Sequence, residues 1–404
     1  MLRVSMHEAE VGMTLSMPVL HPEHPERTLL KPGFVLSRGA LRRLESLHVT
    51  ELWIEYPPLS FVAKYISPAV LRHRGAVTGV VRDVLHQMSR DAQADIEYAT
   101  FRDTIRDFAR TLSYHRPAAL MVQSMANTNR PLVRHHSDTC YLALLLGMKL
   151  EHYLIVQRPR LSARRALDVV DLGVGAMLHD VGMLELEQTV LDDWIAQDHP
   201  ESHDGWRRHV ELGYRRLKGG LEPAAIAGVL HHHQHFDGSG FPMRDGADGV
   251  SRSLSGEDIH IFARIICAAD LYDRLHHPPG RRETQPAVRT LATMLTPPYR
   301  DWIDPVVMRA LLGVVPAYAP GTQITLSDGR PGVIADWRPD APCRPSIHLI
   351  GRDRGKPDVD LLEQRSVAIA EVDGHDVLND NFDIEPANAA SAVCAGTTVR
   401  RAAG

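Results

Sequence analysis

The sequence predicts a mainly α-helical protein: a helical bundle with a small α/β unit ahead of it and a small β-rich appendage behind. Three observations lead there. From about residue 119 to 315 the stretches HHSDTCYLALLLGMKL, VVDLGVGAMLHDVG, WRRHVELGYRRL, PAAIAGVLHHHQH and DIHIFARIICAADLYDRL are each long enough for a packed helix. Turn-rich runs such as HFDGSGFPMRDGADG separate some of them. Before and after this region the pattern changes to short β-prone segments with turn signals.

Taken in order, residues 1–57 read as the small α/β unit. VGMTLSMPVLH alternates weakly, KPGFVLSRGALRRLESLHV carries a Pro-Gly turn and a short amphipathic helix, and ELWIEYPP reads as a closing strand. Residues 58–118 form a helical connector, with Val81, Val84, Leu85 and Met88 at three- and four-residue steps. The bundle occupies 119–315. In the β-rich unit, 316–374, two strands flank a hairpin turn at Asp328-Gly329. Residues 375–404 hold few large apolar groups and read as a disordered tail.

Composition narrows the function. A net charge of -5 over 404 residues argues against an electrostatic grip on long nucleic acid or on an anionic membrane. No run approaches the ~18 apolar residues of a membrane span, and no secretory signal opens the chain. The four cysteines (Cys140, Cys267, Cys343, Cys394) show no paired spacing, so reduced thiols and a cytoplasmic location are expected. The departure from an ordinary composition is 23 histidines, clustered in the middle third. Histidine is the commonest metal ligand.

The sharpest local signal is His179-Asp180, which follows an uncharged apolar run in GAMLHDVGM. Two polar groups at the end of a buried helix are costly unless paired or metal-bound. A capped helix end would explain this pair equally well if it stood alone. It does not: His136, His209, His232, His233 and Asp270 each border an apolar helix in the same region. Mixed nitrogen and oxygen ligands suit Fe, Mn or Zn, and no cysteine stands near them to suggest a structural zinc knot.

The order of His136, His179-Asp180, His209, His232-His233, DGSGFP and Asp270 resembles the HD-GYP family, a group of HD-type metal-dependent phosphohydrolases. The resemblance covers residues 119–315 and implies an HD-type bundle with two divalent ions, iron or manganese. It implies one ion held by His136, His179, Asp180 and Asp270, and a second held by His209, His232 and His233, with Asp180 shared. His179 and Asp180 would be the catalytic pair. The HHHQH run leaves a one-residue slip open at the paired histidines. The loop residues Asp237, Gly238, Gly240, Phe241 and Pro242 would face substrate, their glycines allowing close backbone approach; a plain turn between helices is the other reading. The implied reaction is attack of metal-activated hydroxide on cyclic di-GMP, giving linear pGpG and, on a second cut, GMP.

Several positions depart from the family pattern. Met183 stands where a lysine is expected, and a thioether neither donates nor carries charge. Phe241 replaces the tyrosine of the family name, Gln234-His235 replaces Glu-Arg, and Pro279 occupies an arginine position that Arg281 or Arg282 would have to serve. Leu132 replaces the glutamate of three-metal members, so two ions are expected. The alternative is a catalytically weak or inactive protein that binds cyclic di-GMP as a sensor or effector. A homodimer or a signalling partner held through the N-terminal unit fits either reading.

Overall fold

The structure is a computed structural model that describes residues 1–384 except 22–23, 25–26, 50, 58, 61–62, 64–66, 91–96, 116–129, 197–199, 246–248, 281–282 and 351–358. It is mainly helical, with strands confined almost entirely to the two ends of the chain.

In the N-terminal unit, β1 (Leu2–Ser5) pairs antiparallel with β4 (Glu51–Ile54), Leu2 lying opposite Ile54. The short strands β2 (Val19–Leu20) and β3 (Thr28–Leu30) form a second pair. Helix α1 (Arg38–Ser46) begins at Ser37, whose hydroxyl accepts from the Ala40 amide. That bond satisfies one amide the helix itself cannot. Two long helices follow, α2 (Pro68–Arg90) and α3 (Tyr98–Tyr114). Ile105, Phe108 and Leu112 of α3 are fully buried at three- and four-residue steps, so the helix is pinned by one apolar face.

The bundle is built around α5 (Val170–Leu178), which is apolar on nearly every side. It is enclosed by α4 (Pro131–Lys149), α3 and α7 (Pro223–His231). Helix α8 (Ile261–His276) packs across α4 and α7, while α6 (His209–Leu217) packs on α7 and on the 3₁₀ turn Val181–Glu185. Proline opens both α4 and α7, where its missing amide costs nothing. Leu172, Val174, Met177 and Leu178 of α5 are fully buried. Each contributes about 1.5–3 kcal/mol, which offsets the cost of the polar pair His179-Asp180 at the end of that helix.

Beyond a two-residue hairpin after α7, formed by β5 (Arg244–Asp245) and β6 (Ser251–Arg252), the remaining strands lie in the C-terminal sheet. These are β7 (Gln323–Leu326), β8 (Pro331–Ile334), β9 (Ser346–Leu349), β10 (Val359–Asp360), β11 (Ile369–Val372) and β12 (His375–Asp376). Their order is β10-β9-β8-β7-β11-β12, antiparallel throughout. The β7–β8 turn contains Asp328-Gly329, with Gly329 at φ +82°. Order continues past residue 374, which corrects the expectation of a disordered tail from 375. Strand β12 pairs with β11, Val377 is fully buried, and the Asn381 amide donates to the Ile369, Val377 and Leu378 carbonyls. Together with the Arg289–Asp380 pair and the Tyr318 hydroxyl on Asn381, these contacts hold a segment whose composition alone reads as disordered. The rest of the expected tail, including Cys394, lies outside the described residues.

The two ends meet. The Arg3 amide donates to the Gly321 carbonyl, and the Arg3 guanidinium pairs with both Glu51 and Asp373. Among the described residues no single helix is long and apolar enough to cross a membrane. Cys140, Cys267 and Cys343 are free and buried.

Candidate metal centre

The ends of α5 and α7, the starts of α4 and α6 and the middle of α8 converge on one buried point. Asp180 lies there and divides its carboxylate. Its Oδ1 is 3.1 Å from His209 Nε2 and 3.2 Å from His232 Nε2, while its Oδ2 is 3.4 Å from His135 Nε2 and 3.5 Å from His179 Nε2. Two groups result that could each hold a cation: Asp180, His209, His232 and His233, and His135, His179, Asp180 and Asp270.

The donor chemistry fits divalent metal. His136 Nδ1 faces the Met177 carbonyl at 2.7 Å, His179 that of Ala176 at 2.8 Å, His209 that of Trp206 at 2.7 Å and His232 that of Val229 at 2.8 Å. A carbonyl only accepts, so each Nδ1 donates and each Nε2 lone pair is left for another partner. Burial pushes the His136 imidazole down to about 3 and the His232 imidazole to about 4; neighbouring histidine charge adds to both effects. Both rings are therefore neutral near pH 7, the form that binds metal. A bare His232 Nε2 facing a carboxylate oxygen sets two acceptors against each other. A cation between them resolves that repulsion. His136 Nε2, His233 Nε2 and Asp180 Oδ1 are all buried without a hydrogen-bond donor or acceptor to satisfy them.

Burial alone would raise the Asp180 carboxyl, but the surrounding imidazoles, His179 and His209 foremost, hold it well below the usual carboxylate range. Asp270 behaves likewise: burial opposes ionisation, and the Arg274 guanidinium outweighs it. Arg274 donates from Nε to both Asp270 oxygens at 3.0 Å and from its other end to Glu201.

Backbone spacing depends on two glycines. A Cβ at Gly182 would stand 2.0 Å from the His209 carbonyl oxygen, so only glycine lets the turn after His179-Asp180 pack against α6. A Cβ at Gly240 would stand 2.2 Å from the His233 carbonyl oxygen. The DGSGFP loop is thus drawn onto the histidine pair. Asp237 Oδ1 accepts from the Ser239 amide and hydroxyl, Gly238 has φ +85°, and the Phe241 amide donates to the His233 carbonyl at 2.9 Å. Those contacts spend the Ser239 and Phe241 amides inside the loop. The Phe241 ring stacks on His233 at 4.7 Å, and the Pro242 carbonyl accepts from the Gln234 amide.

The structure therefore brings together His179, Asp180, Asp270, His209, His232 and His233. His231 turns away to Arg244, its Nε2 2.7 Å from a guanidinium nitrogen. His136 lies beside the first group, ring centroid 5.2 Å from His179, and its neighbour His135 reaches into that group. Arg281 and Arg282 fall outside the described residues. Met183 sits in an apolar cluster with Trp194, Trp206, Val210 and Phe241, where a lysine would meet no acceptor from these neighbours. Sequence reasoning missed His135, Asp273, Arg274, Glu201 and Trp206. The first of these stands in plain sight in the HH pair; charged residues on the other helices give no such signal.

A buried His-Asp pair at the core of a helical bundle, ringed by further imidazoles, defines an HD-domain protein, a metal-dependent hydrolase. Comparison with known proteins agrees. Residues 160–307 match the family model described as HD domain. The chain is 24% identical over 351 residues to cyclic di-GMP phosphodiesterase PA4108 of Pseudomonas aeruginosa, covering 80% of this chain and 79% of that protein. It is 30% identical over 176 residues to 3'3'-cGAMP-specific phosphodiesterase 3 of Vibrio cholerae, covering 42% of this chain and 33% of that protein. A solved structure, Bd1817 from Bdellovibrio bacteriovorus, described as an HDG"Y"P protein, aligns with TM-score 0.46 and 15% identity over 77% of this chain and 97% of that chain. Within the HD-domain class, the order of the ligand residues resembles that of the HD-GYP family.

Proposed function

We propose that the protein is a dinuclear-metal phosphodiesterase that opens cyclic di-GMP to linear pGpG and, on a second cut, to GMP. The observation that carries this reading is the division of the Asp180 carboxylate between two histidine groups. In it, His136, His179, Asp180 and Asp270 hold one ion, while His209, His232 and His233 hold another that shares Asp180. Iron or manganese suits this nitrogen and oxygen set. When bound, such ions would supply an acidified water near neutral pH and positive charge for the phosphoryl oxygens.

The residues of this chain do the remaining work. Backbone carbonyls fix four imidazoles so that each Nε2 points inward. The Phe241 ring and the apolar cluster around Trp206 exclude water from the His209 side. Asp237, Gly238, Gly240, Phe241 and Pro242 line the substrate side, with Arg281 or Arg282 meeting phosphate. The identity of the relative from Pseudomonas aeruginosa supports cyclic di-GMP as substrate.

A second reading, a cyclic di-GMP sensor with little turnover, is favoured by Met183, an uncharged side chain packed with Trp206 and Phe241 at a position where the family places a lysine. One assay separates the two. Protein loaded with Mn(II) or Fe(II) without oxygen is given cyclic di-GMP beside an Asp180→Ala control, and products are separated by chromatography. Metal-dependent pGpG absent from the control supports the enzyme. Retained ligand with no product supports the sensor, and neither binding nor product removes both.

A further inference from the structure

The family resemblance assigns the first histidine of the metal set to position 136. The structure puts a different imidazole inside the ligand group. Adjacent residues on a helix point about 100° apart, so His135 and His136 of α4 cannot share a direction. His136 turns its Nδ1 to the Met177 carbonyl. His135 turns toward α8, and its Nε2 lies 3.1 Å from His179 Nε2, 3.3 Å from Asp270 Oδ1 and 3.4 Å from Asp180 Oδ2. All three of these neighbours belong to the proposed first ion, so His135 Nε2 stands in the shell that would surround it.

The far side of the ring is held as well. His135 Nδ1 donates to Asp273 Oδ2 at 2.7 Å, and Asp273 Oδ1 accepts from His277 Nδ1 at 2.8 Å. Asp273 is buried, one helical turn from Asp270 on α8. A carboxylate that takes the Nδ1 proton fixes the tautomer and ring orientation of a histidine and strengthens it as a ligand through the other nitrogen. The other imidazoles of the centre whose Nδ1 is fixed use backbone carbonyls for this purpose. Among the described residues of the two cation groups, His135 is held at hydrogen-bond distance by a side-chain carboxylate that is itself supported, whereas the Glu201 carboxylate stands 3.6 Å from His233 Nδ1.

We propose that His135 is an additional ligand of the ion held by His179, Asp180 and Asp270, positioned by Asp273 and His277. The inference rests on the metal centre proposed above and extends its ligand set. With His136 retained, the first ion has five protein ligands, His135, His136, His179, Asp180 and Asp270. The second ion has four, one of them shared. The first site is thereby the more fully coordinated of the two.

The test uses the full chain and reads metal binding directly. Wild type, His135→Ala and Asp273→Asn are titrated with Co(II), bound metal is counted by elemental analysis, and the visible absorption, which intensifies as coordination number falls, is recorded. A thermal melt of each variant checks folding. The expected result is two ions in wild type, at least tenfold weaker binding of one ion in His135→Ala, and a stronger visible band for the ion that remains at that site. Asp273→Asn should weaken the same ion about tenfold, in line with the loss of a partner that orients a ligand. Unchanged stoichiometry, affinity and spectrum in His135→Ala would overturn the proposal. Should that variant not fold, Asp273→Asn decides by the same readout, an unchanged spectrum overturning it. Absence of bound metal in wild type would instead sink the metal centre itself.

Discussion

The two halves of the centre share Asp180 and touch again where Glu201 nears His233 and Arg274 lies over Trp206, but most of their surroundings differ. On the His179 side the surroundings are polar: Asp273, His277, Arg274 and Glu201 form a connected set of charges around Asp270 and His135. On the His209 side they are aromatic. Trp206 packs 4.7 Å from His209 and 4.8 Å from His233, stacks on Trp194 at 5.3 Å, and meets Phe241 at 5.7 Å. One half keeps its imidazoles in place by neutralising charge, the other by filling space. The two scaffolds should fail in different ways, because an unpaired buried charge and a cavity have different remedies.

The largest effect tests the shared atom. Asp180→Ala should weaken both of the proposed ions by more than about 100-fold, beyond the range for an outer partner, while His209→Ala should weaken one. Elemental analysis after dialysis distinguishes the two outcomes, and equal loss in both variants would dissolve the distinction between the halves.

Next come the two scaffolds. Arg274→Met leaves Asp270 and Glu201 buried without their cation and should cost about 3–5 kcal/mol in thermal unfolding. Trp206→Ala opens a cavity at a side chain that is fully enclosed and should cost a similar 3–5 kcal/mol. Metal separates them. A divalent ion at Asp270 replaces part of the missing charge, so added Mn(II) should raise the melting temperature of Arg274→Met by more than it raises that of wild type. The cavity in Trp206→Ala gains nothing of the kind. Equal metal-induced shifts in the two variants would erase the contrast.

The smallest effect lies away from the centre. Burial, partly countered by Arg3, raises the Glu51 carboxyl from its ordinary 4.5 to about 6. The folded chain therefore holds this proton more tightly than the unfolded chain, and ionisation costs stability as pH rises from about 4.5 through 6. Glu51→Gln removes that cost. Its melting temperature should exceed wild type above pH 6, by the equivalent of about 1 kcal/mol, and the gap should close below pH 4.5.

Much of the polar architecture was legible before any coordinates, and the reasons differ by residue. The mainly helical class follows from long apolar-periodic stretches, and α5 is plain because nine consecutive residues carry a single charge, at its first turn. His179-Asp180 stands out because polar neighbours at the end of such a helix need a partner. The choice between His231, His232 and His233 is decided by the roll of α7: His232 can reach back to the Val229 carbonyl, and that places its Nε2 on Asp180. A run of three identical residues carries no such information. His135 is hidden for the same reason, since a pair of histidines does not say which one faces α8. Arg274 and Glu201 read as solvated charges until Asp270 is seen between helices. Trp206 has no sequence signal at all, because its contact with His209 depends on how the chain turns into α6.

The contact between Arg3 and Asp373 has a kinetic side. The two residues are 370 positions apart, so their pairing closes nearly the whole chain into a loop. Loop closure costs more entropy as length grows, and such contacts are repaid only once the intervening segments are compact. The helices between them will have formed by then. Arg3→Ala should accordingly quicken unfolding while leaving the refolding rate as it was, the behaviour of a contact absent from the transition state. On that expectation the seam between the first strand and the last sheet contributes to how long the folded chain lasts and not to how fast it is reached.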